Sequence, residues 1–150
     1  HYSDLSAGAC EALVSALCSL ISGDAWEQAS KPDHADHWPE SIKAIAHENW
    51  DERDRDSIHS TGFVVHTLEA AMWAVDTTSS FAAALLKAVN LGDDADSVGA
   101  VAGQLAGDRY GLTGIPQNWL DVLLHRERIE AIGHQLFDAS IDETGGREIV

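Results

Sequence analysis

Apolar residues recur at helical spacing along nearly the whole chain. Between Leu5 and Ile21 they form the stripe Leu5, Ala9, Leu13, Ala16, Leu17 and Leu20, and Gly23 follows as a stop signal. Asp24 to Pro39 is polar and holds Lys31-Pro32-Asp33 and Trp38-Pro39. Proline disfavours helical geometry in the residue before it, so this stretch reads as a loop. Ser41 to Trp50 predicts a short helix, and the mixed-sign run Asp51 to Asp56 a solvated connection. Gly62 to Val75 is a strong helical block with Phe63, Val64, Leu68, Ala71, Met72 and Val75 in register. Thr77 to Ser80 offers caps for the next helix, Phe81 to Asn90. That helix is apolar on nearly every side, which predicts burial on every side and a central place in the fold. Gly92 ends it, and a further helix is expected from Asp94–Ser97 to about Tyr110. Pro116 suits the first turn of a helix over Gln117 to Leu124. A last helix covers Glu127 to Asp138, with a frayed tail after Asp142. No alternating run makes a sheet and no period repeats. The expected fold is all-α, a central helix ringed by others.

The 150 residues suffice for one domain, and 45% hydrophobic with 23% charged residues describes a globular chain. Nine Lys and Arg against 25 Asp and Glu give a formal net charge of −16. Nucleic acid and anionic membranes need a basic face, so neither is expected as a partner. A cationic partner or a metal ion suits the balance better. No apolar run approaches the roughly 18 residues of a membrane span, and no signal-peptide pattern is present. Cys10 and Cys18 lie eight apart on one predicted helix. A rise of about 1.5 Å per residue separates them by about 12 Å, too far to bridge. They read as buried thiols in a reducing, cytoplasmic setting.

The segment richest in chemistry is Asn90-Leu91-Gly92-Asp93-Asp94-Ala95-Asp96-Ser97, with three carboxylates in four residues. Such crowding calls for solvent or a cation. Oxygen donors at a helix start suit Mg²⁺, Ca²⁺ or Mn²⁺ better than zinc. The plainer reading is a helix cap with extra acidic residues. Gly99, Gly103 and Gly107 then recur every four residues. Glycine inside a helix costs about 1 kcal/mol relative to alanine, so the row predicts close approach by another backbone and an acidic turn deep in the molecule. Asp33-His34-Ala35-Asp36-His37 has two histidines three apart but no cysteine partners, and reads as a solvated loop. His47, His59, His125 and His134 read as surface or capping residues, and Trp73 and Trp119 as core.

These segments together carry a resemblance. Gly62-Phe63-Val64-Val65-His66-Thr67-Leu68-Glu69-Ala70-Ala71-Met72-Trp73-Ala74, Ser80-Phe81, the acidic segment, Ala102-Gly103-Gln104-Leu105-Ala106-Gly107, Tyr110-Gly111 and Ile115-Pro116-x-x-Trp119 follow one another as in the ADP-ribosylglycohydrolases. The likeness is to the bacterial branch that acts on ADP-ribosylated dinitrogenase reductase. It implies an all-α fold with two Mg²⁺ (or Mn²⁺) ions in a cleft, and hydrolysis at C1 of the ADP-ribose ribose. Asp94, Asp96 and Ser97 resemble the family's Asp-x-Asp-Thr/Ser metal motif. His1 is similar to a histidine lining the ADP-ribose cleft, and Gly62 and Phe63 to a Gly-Tyr pair beside the ligand. Ser97 keeps the hydroxyl of the commoner threonine, and Phe63 lacks the hydroxyl of the commoner tyrosine. Asp108-Arg109 stands where small residues are usual.

The family's first-half Gly-Asp-x-x-Gly segment and Thr-Asp-Asp metal motif have no counterpart here. Each Mg²⁺ takes about six oxygens, more than three side chains supply. The chain, which starts at His1 without methionine, is therefore expected to be the C-terminal half of a single longer domain, incomplete without its N-terminal half, where the catalytic residues are expected. The expected substrate is an ADP-ribosylated protein or a small ADP-ribosyl compound. The alternatives are a non-catalytic ADP-ribose-binding, crystallin-like or immunity-type protein on the same fold.

Overall fold

The computed structural model describes residues 3–33 and 35–144, with side chains described through Ser140. Its regular structure is helical, with no strand among the described residues. The chain divides into two compact units, His1–Ile115 and Pro116–Val150.

The first unit opens with α1, Asp4–Ile21. Ser3 caps it, its hydroxyl accepting the Ser6 N–H at 3.1 Å. Gly23 ends it with φ of +94°, a left-handed conformation that glycine adopts without a side-chain penalty. After the short turn α2 (Trp26–Ala29), a 3₁₀ turn spans Ala35–His37 and α3 covers Glu40–Ala46. The helix expected over Ser41 to Trp50 thus stops early, and Trp50–Glu52 forms a separate 3₁₀ turn. Helices α4 (Val64–Asp76), α5 (Phe81–Val89) and α6 (Ala95–Tyr110) pack on one another, and α1 packs on α4 and α6. Ser80 caps α5, accepting the Ala83 N–H at 3.2 Å.

The central helix is α4, not α5. Leu68 and the whole run Ala70 to Val75 are buried, because three alanines, Ala70, Ala71 and Ala74, let neighbouring helices approach from several sides at once. Helix α5 buries only Phe81, Ala84 and Ala88 and leaves Leu86 exposed. Its all-round apolarity did not translate into all-round burial. The end of α4 is tied down from three directions. Asp76 accepts the Trp26 indole N–H at 2.7 Å. The Arg109 guanidinium donates to the Val75 carbonyl at 2.6 Å and lies over the Trp26 ring. The Tyr110 hydroxyl donates to the Thr78 carbonyl at 2.7 Å. Arg109, unusual by family resemblance, thereby serves the unpaired carbonyls at a helix C-terminus.

Other expectations are corrected. Cys10 and Cys18 are exposed, not buried, because α1 turns Gly8, Ala9 and Ala16 inward. Helix α1 is also long and apolar enough to cross a membrane by length and composition. Its serines, glycine and cysteines interrupt a strictly apolar run without making the helix polar. It packs on α2, α3, α4 and α6, burying Gly8, Ala9 and Ala16. Of the glycine row, only Gly99 meets a close neighbour: a β-carbon there would lie 2.8 Å from Val89 Cγ1, whereas Gly107 faces open space. In Asp33 to His37, read as a solvated loop, Asp33, Asp36 and His37 are exposed, Ala35 is buried and His37 reaches Glu11 at 3.0 Å; His34 lies outside the described residues, and Trp26 and Trp38 to either side are buried.

In the second unit, α7 covers only Gln117–Leu120, and α8 runs from Arg126 to Thr144, past the position where fraying was expected. Trp119 is half-buried rather than core.

Candidate functional site

The acidic turn begins where α5 ends. Gly92 (φ +89°) and Asp93 (φ +47°) both take left-handed backbone, which reverses the chain within two residues and sends it into α6. Aspartate is among the few side chains that tolerate this conformation. Asp94 follows at the cap position of α6, yet its side chain makes no capping hydrogen bond to the helix. Asp94 thus holds the cap position without making the capping bond. Its Oδ1 instead accepts the Ser97 hydroxyl at 3.0 Å. Asp96 Oδ1 accepts the Ser97 backbone N–H at 3.0 Å. Asp94, Asp96 and Ser97, singled out from the sequence, are brought together on one helical turn.

Depth is the point of correction. Asp94 is half-buried, but Asp96 and Ser97 are exposed. Tight packing begins one residue further on, at Val98 and Gly99, so the glycine row reports on the body of α6 and not on its start. Hydrogen bonding with Asp94, helped by the N–H groups of Ser97 and Asp96, holds the Asp96 carboxyl below its ordinary value of 3.8. Asp96 is thus ionised at neutral pH.

A second segment backs the turn. Residues between Ile58 and Val64 have no regular secondary structure. The Ser60 carbonyl accepts the Asp94 N–H at 2.9 Å, and the Ser60 hydroxyl donates to the Gly92 carbonyl at 3.1 Å. Gly62 lies directly against Asp94: a β-carbon there would sit 3.0 Å from Oδ2. Phe63 is 46% exposed and turns its ring edge-on to His66, with centroids 5.1 Å apart. Thr61 Oγ1 and His66 Nδ1 are 2.8 Å apart, and the His59 and His66 ring centroids are 5.0 Å apart. Gly62 thus lies beside the acidic turn and Phe63 against His66, while His1 lies outside the described residues.

Ser60, Thr61 and His66 were not picked out from the sequence. Their signal is the Ser60-Thr61-Gly62 bend before a helix, where hydroxyls bond locally to backbone. A wide groove of about 830 Å³ runs along α1, lined by Cys10, Glu11, Val14, Cys18, His37 and Trp38 among others, and includes none of the residues of the acidic turn.

The donor set of the turn is oxygen-only and carries negative charge, which fits a hard divalent cation. Its number is short: three donors against about six per Mg²⁺. Among the described residues, no group of three or more His, Cys, Asp or Glu side chains is arranged to hold a metal. The turn fits such a cation in the kind of its donors but not in their number.

The family model for ADP-ribosylglycohydrolase matches residues 1–145. The chain is 45% identical over 143 residues to the ADP-ribosylarginine hydrolase Tri1 of Serratia proteamaculans, covering 95% of this chain and 39% of that protein. It is 36% identical over 86 residues to the ADP-ribosyl-[dinitrogen reductase] glycohydrolase of Rhodospirillum rubrum, covering 55% of this chain and 29% of the other. A solved ADP-ribosylglycohydrolase-related protein complex superposes with a TM-score of 0.71 at 35% identity, over 82% of this chain and 43% of that one. The chain spans about two-fifths of the length of the relatives it matches along most of its own length. With the family model matching almost from end to end and the Asp94-x-Asp96-Ser97 turn in place, the chain belongs to the ADP-ribosylglycohydrolase family.

Proposed function

We propose that this chain is the C-terminal part of a hydrolase that removes ADP-ribose from modified arginine side chains, and that Asp94, Asp96 and Ser97 supply its share of a binuclear Mg²⁺ site. The observation that carries the reading is the 45% identity, over 95% of the chain, to an ADP-ribosylarginine hydrolase. The reaction breaks the bond between ribose C1 and the side-chain nitrogen. Water adds its hydroxyl to C1 and its proton to the leaving nitrogen, through an oxocarbenium-like transition state. Bound Mg²⁺ supplies Lewis acidity and activation of water.

The residues of this chain hold and orient. Asp96, ionised at neutral pH, and Asp94 present carboxylate oxygens, and Ser97 presents a hydroxyl. Gly62 leaves the space beside Asp94 Oδ2 free of a side chain. The exposed Phe63 ring offers an apolar wall for the ligand, and His1 is proposed to line the cleft. Groups for acid or base work are assigned to the remainder of the protein. Release of ADP-ribose from ADP-ribosyl-arginine by the intact protein with Mg²⁺, and its loss in Asp94→Ala, is the expected result. Unchanged release in that variant refutes the assignment.

One observation favours a second reading, a non-catalytic ADP-ribose-binding protein on this fold: Asp96 and Ser97 are exposed. Under that reading ADP-ribose binds equally well with Mg²⁺ present or chelated, and nothing is hydrolysed.

A further inference from the structure

The bend before α4 has no regular secondary structure of its own, so its shape depends on the side chains that tie it down. On one side it is bonded to the acidic turn, through the Ser60 carbonyl to Asp94 N–H and the Ser60 hydroxyl to the Gly92 carbonyl. On the other it is bonded to the first turns of α4, through Thr61 to His66 at 2.8 Å and the Thr67 hydroxyl to the Thr61 carbonyl at 3.4 Å. Thr61 Oγ1 also accepts the Phe63 N–H at 3.3 Å, which leaves its own hydrogen to donate. Its neighbour at 2.8 Å, His66 Nδ1, accepts that hydrogen in the Nε2-protonated tautomer.

We propose that His66 is a positioning residue for the acidic turn. Its Nδ1 accepts the Thr61 hydroxyl, its Nε2 carries the proton, and this bond sets the bend that presses Gly62 and the Ser60 carbonyl against Asp94. The ring is held for the task by Phe63, edge-on at 5.1 Å, and by His59 at 5.0 Å. Nothing in the helix itself calls for histidine there, since His66 lies within the first turn of α4, where many residue types serve. The proposal rests on the reading of Asp94, Asp96 and Ser97 as metal ligands. Groups that orient metal ligands from behind change metal affinity about 10- to 100-fold when removed.

The test measures Mn²⁺ affinity of the intact protein by electron paramagnetic resonance of the free ion, with thermal unfolding as a control for folding. Thr61→Val and His66→Ala are each expected to weaken Mn²⁺ binding about tenfold, and the double variant no further. His66→Asn, whose amide oxygen falls near the place of Nδ1, is expected to restore most of the affinity. Imidazole nitrogen NMR of the wild type should show His66 protonated at Nε2. Thr61 is exposed, so Thr61→Val keeps the test alive if His66→Ala fails to fold. Wild-type affinity in a folded Thr61→Val, or a proton on Nδ1, overturns the positioning role. If Asp94→Ala abolishes Mn²⁺ binding while Thr61→Val does not, only this inference falls. If Asp94→Ala binds Mn²⁺ like the wild type, the metal reading falls and takes this inference with it.

Discussion

Asp94 Oδ2 faces Gly62 across a gap that a single added carbon would close to 3.0 Å. The glycine is exposed and lies outside any helix, so neither burial nor helix propensity explains it; the neighbouring carboxylate does. Gly62→Ala should push the Asp94 side chain aside while leaving the core untouched. The expected outcome is a loss of Mg²⁺-dependent hydrolysis of about tenfold or more, with the unfolding midpoint almost unchanged. A Gly62→Ala protein as active as wild type would show that the carboxylate is free to move.

Ser97 separates two roles that the turn combines. Its backbone N–H bonds to Asp96 and its hydroxyl to Asp94. Ser97→Ala keeps the first and loses the second, along with an oxygen donor. Ser97→Thr keeps both. Activity is expected to fall about 10- to 100-fold in Ser97→Ala and to stay within a few-fold of wild type in Ser97→Thr, measured as ADP-ribose released at saturating Mg²⁺. Equal activity in the two variants would remove the hydroxyl from the site.

How far the sequence carries the reader depends on how local the deciding forces are. Gly23 and Ser80 mark helix ends through bonds to residues three away, and those boundaries are legible. The cluster Asp94-x-Asp96-Ser97 is legible as a group of donors, since one helical turn gathers it. That Asp94 turns away from capping is not legible, because the choice depends on Ser97 and on a bend thirty residues earlier. Burial was the weakest inference. In α1 the predicted stripe includes Ala9 and Ala16, which are buried, but apolar residues lie on other faces too, so it does not say that Cys10 and Cys18 turn outward. In α4, alanine is a weak hydrophobic signal, yet Ala70, Ala71 and Ala74 are wholly buried because small side chains let helices approach.

The glycine row of α6 offers a stability test within one helix. Gly99→Ala brings a β-carbon to 2.8 Å from Val89 Cγ1, whereas at Gly107 nothing lies within 4 Å. Alanine gains up to about 1 kcal/mol over glycine in a helix interior. Overpacking a close helix contact costs about 1–3 kcal/mol. Gly107→Ala should therefore stabilise by up to about 1 kcal/mol, and Gly99→Ala should be neutral or destabilising by as much as about 2 kcal/mol, the difference of the two effects. Denaturant unfolding of both variants checks the order, and a more stable Gly99→Ala would contradict the close approach of α5 to α6.

Lys87 links stability to pH on the alkaline side. Its ammonium lies 3.9 Å from the Trp73 ring centroid and donates to the Thr77 hydroxyl at 2.6 Å. Partial burial lowers its pKa from the ordinary 10.5, against an opposing pull from Asp51. Between the lowered value and 10.5 the unfolded chain therefore binds more protons than the folded one, so stability rises with pH across that window. The contribution is complete above 10.5 and is lost as pH falls through the folded-state value. Lys87→Met lacks this titration. Unfolding midpoints of the two proteins, measured at a series of alkaline pH values, should diverge, with the wild type gaining on the variant as pH rises. Curves that stay parallel across the window would show that the ammonium is as well solvated in the fold as in the unfolded chain.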